Sequence, residues 1–290
     1  MKDRCKFVVL SDSRSGSTFF RLYLNSHPQI RCHGEIFLKT YGAKDGFPNW
    51  CRTSFFWTRI AYSLRFYRPL IYKFFHELFN NESFSAPWTN METWNEYQPR
   101  VNVEHEKAVG FKLMYGHMEP KSLRYKKVPS PLKQIIKQVK CIPFLTRYVK
   151  EENFRIVHFI RENPLKIEVS RITAAKTKMY HTVEKRKHSR VFVDPATIKS
   201  KLQNILDNQD TYRRVFSNNP YLEMSYERFL THKSEMTSKV LDFLQVDDVC
   251  GLASSLKKIN PDRLEDIISN YDEIKEILSN TPFEKYLYYP

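Results

Sequence analysis

The chain has 290 residues, 41% of them hydrophobic, with 21 Phe and 17 Tyr. That is enough apolar material for a large core, and it excludes a disordered polymer. The 47 basic against 32 acidic side chains give a formal charge of +15, a field that draws in phosphate-bearing molecules, acidic glycans, anionic membranes or nucleic acid, and that also serves plain solubility.

Residues 1–6 are charged and run directly into residues 6–10, a short buried strand, with no apolar segment of signal-peptide length. Cys5, Cys32, Cys51, Cys141 and Cys250 are scattered, odd in number and without a CxxC pair, so neither a disulfide framework nor a zinc site is indicated. Both features point to a reducing, cytoplasmic location. A turn of small residues at 11–17 leads to residues 18–24, apolar at helical spacing. Further strands are expected at 29–32, 108–113, 155–160 and 221–225, each leading to a turn or a helix-like segment. This alternation predicts one α/β domain over residues 1–290, with a central, mainly parallel sheet and helices on both faces.

An aromatic helical insertion at about residues 47–100 interrupts the rhythm. Within it, residues 54–79 interleave Phe55, Phe56, Trp57, Phe66, Tyr67, Phe74 and Phe75 with Arg59, Arg65, Arg68 and Lys73. The stretch is too charged to span a bilayer, and Pro69 should divide it into two helices. Packing of the aromatic side on the domain, a lid over an apolar or lipid-linked acceptor, and a peripheral membrane contact are all open readings. A second basic run, residues 176–190, reads as a solvated surface or as a flap over a bound anion. Helices follow from 195 through 214, at 233–244 and at 262–278, so the C-terminal third is helical and is expected mostly to cover the sheet.

The turn after the first strand reads Ser11-Asp12-Ser13-Arg14-Ser15-Gly16-Ser17-Thr18. Small residues let successive backbone N–H groups curl around an anionic oxygen, and the helix start adds its positive end. Gly16 permits close approach, Ser17 and Thr18 offer hydroxyls, and Arg14 a permanent charge. It is not a Walker A loop, for no early Gly and no Lys before the hydroxyls are present. Alone, it is equally compatible with a capped strand-to-helix turn.

With Arg14–Thr18 intact as Arg-Ser-Gly-Ser-Thr, and with Gly34-Glu35 shortly after the first helix, the chain resembles the sulfotransferases that use 3′-phosphoadenosine 5′-phosphosulfate (PAPS), in particular the bacterial trehalose and nodulation-factor type. The resemblance implies a P-loop-type α/β domain, 5′-phosphosulfate binding by Arg14, Ser15, Gly16, Ser17 and Thr18, and Glu35 as base. It also implies transfer without a metal, with 3′-phosphoadenosine 5′-phosphate (PAP) as product. A second site is similar to the family's 3′-phosphate motif. After the strand at 155–160 comes Arg161-Glu162-Asn163-Pro164, with Ser170 one helical stretch later. A guanidinium at a strand end and a hydroxyl on the following helix can share one phosphate. Glu162 departs from the family spacing, in which Arg directly precedes Asn, so Arg161 or Lys166 could supply the charge. A helix-capping or ion-pairing role for Arg161 is the alternative.

Weaker echoes are Gly110-Phe111-Lys112-Leu113, Met224-Ser225-Tyr226-Glu227 and Leu256-Lys257-Lys258. In the family these positions lie near the acceptor, the adenine and the phosphates, which makes Lys112 a second catalytic charge and Tyr226 an adenine partner; burial habit makes Tyr226 a core aromatic. His33 is the rival base, since two residues' separation on a strand would put it on one face with Glu35. The acceptor is expected to be a hydroxyl of a small molecule, a carbohydrate or a glycolipid, and no nucleic acid is expected. Two competing functions remain: a P-loop kinase of a nucleotide or sugar, which lacks its lysine, and a non-catalytic binder of acidic glycan or nucleic acid.

Overall fold

The computed structural model describes residues 4–37, 73, 106–118, 141–177, 190–256 and 263–289, residues 141–144 by backbone alone. Five parallel strands form the described sheet: β1 (Cys5–Ser11), β2 (Ile30–His33), β3 (Ala108–Met114), β4 (Arg155–Ile160) and β5 (Tyr221–Ser225), in the order β2-β3-β1-β4-β5. The expected strands are present, each within a residue or so of its predicted ends. Their near-continuous apolar runs follow from burial on both faces. Phe7 and Val9 point to one face and Val8 and Leu10 to the other, and all four are fully buried.

Helix α1 (Ser17–Asn25) covers the first face with Phe20, Tyr23 and Leu24, packed on Val9, Val157 and Phe159. Phe20 stacks on Phe159 with ring centroids 4.3 Å apart. A short helix, α2 (Tyr115–Met118), caps β3, and α3 (Cys141–Glu151) lays Leu145, Tyr148 and Val149 on the second face against Val109, Phe111 and Ile156. Gly110 lies opposite Phe7, where a Cβ would collide with the Phe7 carbonyl and ring; the close β1–β3 pairing requires a residue without one.

After β4 come α4 (Pro164–Thr177) and α5 (Ile198–Val215); after β5 come α6 (Tyr226–Thr231) and α7 (Lys233–Phe243). Tyr212 of α5 joins the second face, and Met236 and Val240 of α7 the first. The segment beyond departs from expectation twice. The helix predicted at 262–278 is two pieces, α8 (Leu264–Ile267) and α9 (Tyr271–Leu278), because Ile268 leaves helical geometry to bridge Val191 while the Asn270 amide bonds the Val193 backbone on both sides. This segment also covers helices and not the sheet: Ile267, Ile268, Ile274, Leu278 and Leu287 pack with Leu165, Val169, Ile198 and Leu202 of α4 and α5.

No described helix is long and apolar enough to cross a membrane. The aromatic stretch 54–79, apart from Lys73, and most of the basic run 176–190 lie outside the described residues. The topology itself locates a site. The chain leaves β1 for the β2 edge, returns beside β1 as β3, and then places β4 on the other side. The carboxyl end of β1 is therefore a switch point, where crevices form in open α/β sheets.

Candidate active site

At that switch point β1 ends in Ser11 and the chain turns through Asp12–Gly16 into α1. Two residues of the turn are left-handed, Arg14 at φ 66° and Gly16 at φ 87°. Gly16 tolerates this, whereas Arg14 is strained and must be held by its surroundings. The buried Ser15 hydroxyl donates to the Asp12 carbonyl at 2.9 Å, closing the turn. Gly16 is the N-cap and offers no side chain to the first turn of α1. The orphan N–H groups there thus face the loop without a side-chain acceptor, as an anion cradle requires. A Cβ on Gly16 would also run into the Tyr226 ring, which packs directly on the loop.

The second predicted motif meets the first. Ser170, two turns into α4, accepts a hydrogen bond from Arg14 Nε at 3.0 Å across 156 residues of sequence. The helix start is fixed by Asn163, fully buried, whose Oδ1 accepts from the Lys166 N–H and whose Nδ2 donates to the Tyr286 and Tyr289 carbonyls. Pro164 opens α4 as expected. Arg161 places its guanidinium 5.4 Å from the Tyr226 ring centroid, and its Nε lies 3.5 Å from Glu227 Oε1. Arg161 is thus ion-paired through Nε, the alternative role its sequence context left open, and burial lowers the guanidinium while Glu227 opposes. Burial and the neighbouring Arg161 charge lower the Lys166 ammonium. Tyr226 is thus part of the loop wall, between Gly16 and Arg161. Lys257 and Lys258 lie outside the described residues.

On the other side of the loop, Lys112 of β3 is almost fully buried and donates to Thr18 Oγ1 at 2.8 Å and to Glu35 Oε1 at 2.9 Å. One ammonium therefore joins the cradle to the predicted base. Burial pushes the Glu35 carboxyl up, but Lys112 and then His117 outweigh it and hold the group well below the usual carboxylate range. Burial lowers the Lys112 ammonium, with Glu35 opposing. His117 Nε2 stands 3.6 Å from Glu35 Oε2, and its Nδ1 accepts the Met114 N–H at 3.3 Å. A backbone N–H can only donate, so a neutral His117 carries its proton on Nε2, toward Glu35. The rival, His33, does not share a strand face with Glu35: β2 ends at His33, and Glu35 lies in the following turn. His33 is fully buried, and burial together with Arg31 and Arg21 drives its proton affinity far down.

Sequence reasoning missed three further parts. His117 could have been found as the first histidine after the Lys112 strand. Arg171, next to Ser170, grips Asp12 Oδ1 at 2.7 Å and Ser13 Oγ at 3.0 Å. Behind β4 and β3, His158 is buried with Tyr115 on Nε2 and Tyr221 on Nδ1, and Tyr221 donates to Glu223, which Arg213 clamps with two bonds. Among the described residues no group of three His, Cys, Asp or Glu gathers as a metal site would.

A parallel sheet whose central strand ends in a side-chain-free helix cap, flanked by Arg14, Ser170 and Lys112, defines an α/β protein with a basic strand-to-helix loop at its switch point. The chain belongs to the Sulfotransferase family, whose model matches residues 7–249, and its chemistry is sulfuryl transfer. No curated protein sequence matches it. Three solved structures are similar over nearly the whole chain. A sulfotransferase from Alicyclobacillus acidocaldarius has 11% identity and a TM-score of 0.39, covering 99% of this chain and 97% of that one. The sulfotransferase domain of the Synechococcus PCC 7002 olefin synthase has 16% identity and a TM-score of 0.37, covering 100% and 97%. Mouse sulfotransferase SULT7A1 complexed with PAP has 12% identity and a TM-score of 0.38, covering 99% and 88%. At these scores the likenesses carry no weight for this chain's own site.

Proposed function

We propose that this sulfotransferase takes its sulfuryl group from PAPS and delivers it to an acceptor hydroxyl of a carbohydrate or glycolipid, with Glu35 as base. The observation that carries the reading is the Arg14–Ser170 hydrogen bond, which brings both predicted phosphate-binding motifs to one place. PAPS supplies an activated sulfuryl group on a phosphate leaving group. The residues fit it: the uncapped first turn of α1 and the hydroxyls of Ser17 and Thr18 would serve one anion, and Ser170, Arg161 and Lys166 the other. The Tyr226 ring beside Gly16 and Arg161 offers a flat wall for a base.

Glu35 is ionised at neutral pH and available to accept the acceptor's proton, but Lys112 makes it a weak base. A weak base suffices in a loose transition state, where the acceptor's proton leaves late, once bonding to sulfur has acidified the attacking oxygen. Lys112, bonded to both Thr18 and Glu35, stands where charge shifts from acceptor toward donor, and Arg14 neutralises the leaving side. His33, the other base candidate, is fully buried beside the Arg31 and Arg21 charges, which disfavour its taking up a proton.

The test is PAP binding by calorimetry in the wild type and in Arg14→Ala and Ser170→Ala. Each variant should bind roughly tenfold or more weakly, corresponding to the loss of a charge-assisted bond of about 1.5–3 kcal/mol. Equal affinity in all three proteins would refute the donor site. Transfer from PAPS across a panel of sugars, glycolipids and simple alcohols then assigns the acceptor class.

A further inference from the structure

We propose that Arg171 is a positioning residue for the donor loop, holding Arg14 in its strained conformation and cancelling the charge of Asp12. The inference rests on the reading of Asp12–Thr18 as the donor cradle. Asp12 follows the last residue of β1, so its carboxylate sits at the base of the loop that must receive a multiply charged anion. Left alone, that carboxylate would repel the ligand. The Arg171 guanidinium meets it: Nη2 donates to Asp12 Oδ1 at 2.7 Å while Nε donates to Ser13 Oγ at 3.0 Å. The same Asp12 oxygen accepts the Ser13 backbone N–H at 2.6 Å. One planar fork thus fixes two consecutive loop residues, a geometry a lysine cannot copy.

The guanidinium is itself held from behind. Its Nη1 lies 3.6 Å from Glu168 Oε2, and Glu168 Oε1 is paired with Lys201 of α5 at 2.9 Å. Charges alternate along this line, Lys201, Glu168, Arg171, Asp12, from the second helix layer to the loop. The next residue on the chain after Ser13 is Arg14, non-glycine at φ 66°, a conformation that persists only when its surroundings impose it. On one side of it stands the Arg171 fork, and on the other its own Nε bond to Ser170. Adjacent residues of α4, 170 and 171, therefore clamp the two sides of the strained position. Arg171 touches neither acceptor base nor its partners, and its effect on the reaction passes through the loop.

The experiment uses the full chain as wild type, Arg171→Gln, Arg171→Lys, Asp12→Asn and the double variant Asp12→Asn/Arg171→Gln. Amide hydrogen exchange in the ligand-free proteins reads the loop itself. Exchange of loop amides 12–18 should speed up at least tenfold in Arg171→Gln and by less in Arg171→Lys, with exchange in β4 and β5 unchanged. Calorimetry with PAP and transfer kinetics read the charge. The PAP Kd and the donor KM should rise about tenfold in Arg171→Gln, kcat should fall by less, and the double variant should recover part of the affinity, because no carboxylate remains to compensate although the loop is still unheld. Unchanged loop exchange in Arg171→Gln would overturn the proposal, as would a double variant that binds PAP no better than Arg171→Gln. A wild type that fails to bind PAP would instead remove the donor reading, and the exchange data would still decide whether Arg171 holds the loop.

Discussion

Replacing Lys112 by Met removes the ammonium that joins the loop to Glu35. Lys112 keeps only 5% of its side chain exposed and Glu35 28%, so the variant strands a mostly buried carboxylate. Breaking a buried pair in this way costs about 3–5 kcal/mol; the residual exposure of Glu35 places the expected loss at roughly 2–3 kcal/mol, with the Thr18 bond included. For a chain of this size that is a fall in Tm on the order of 5 °C. The pH dependence gives the sign. In the wild type Glu35 is held far below its ordinary value, so the pair's stabilisation is complete above about pH 4.3 and fades only as pH falls through the depressed folded value. In the variant burial acts on Glu35 without the opposing ammonium, and its carboxyl moves up. The gap between the two proteins is therefore widest near pH 7 and narrows as Glu35 protonates first in the variant. Calorimetric melting at about pH 7.5 and about pH 5 measures both values, and Glu35→Gln/Lys112→Met should recover at least half the loss. A pH-independent gap, or strictly additive losses in the double variant, would refute the coupling.

Three other outcomes follow from the geometry. Gly16→Ala, at φ 87° and against the Tyr226 ring, should lose more than about 1 kcal/mol and most PAP affinity, measured by melting and calorimetry. Asn163→Ala deletes two buried hydrogen bonds and one part-buried one and should destabilise by about 2–3 kcal/mol, with faster amide exchange confined to residues 284–289 and the start of α4. His117→Gln keeps a donor near Glu35 and should reduce kcat by less than tenfold, whereas His117→Leu should reduce it further and shift the acidic limb of the kcat–pH profile upward, since one group holding the carboxyl down is gone.

The strands were legible because fully buried parallel strands must be continuous apolar runs, and residues 155–160 or 108–113 can be little else. The loop was legible because an anion cradle needs small residues and a left-handed position, and Gly16 supplies the latter at the expected place. The break of the last helical segment was not, since it depends on Ile268 meeting Val191, 77 residues earlier in the chain, and on the Asn270 amide. Arg171 was hidden for the same reason: in the sequence it is one more base on an ordinary helix, and only the register of α4 against β1 aims it at Asp12, 159 residues away. His33 misled because alternation along a strand was extended two residues too far, past the turn that carries Glu35 out of the sheet.

The most direct measurement of the central claim is transfer of labelled sulfur from PAPS to an acceptor panel by the wild type and Glu35→Gln, alongside PAP melting shifts for both. The geometry predicts that PAP at 100-fold its Kd stabilises each protein by about 2.7 kcal/mol, while transfer falls by roughly 100-fold or more in Glu35→Gln alone. Near-normal transfer by Glu35→Gln with PAP still bound would contradict the assignment of the base, and absence of any PAP shift in the wild type would contradict the donor.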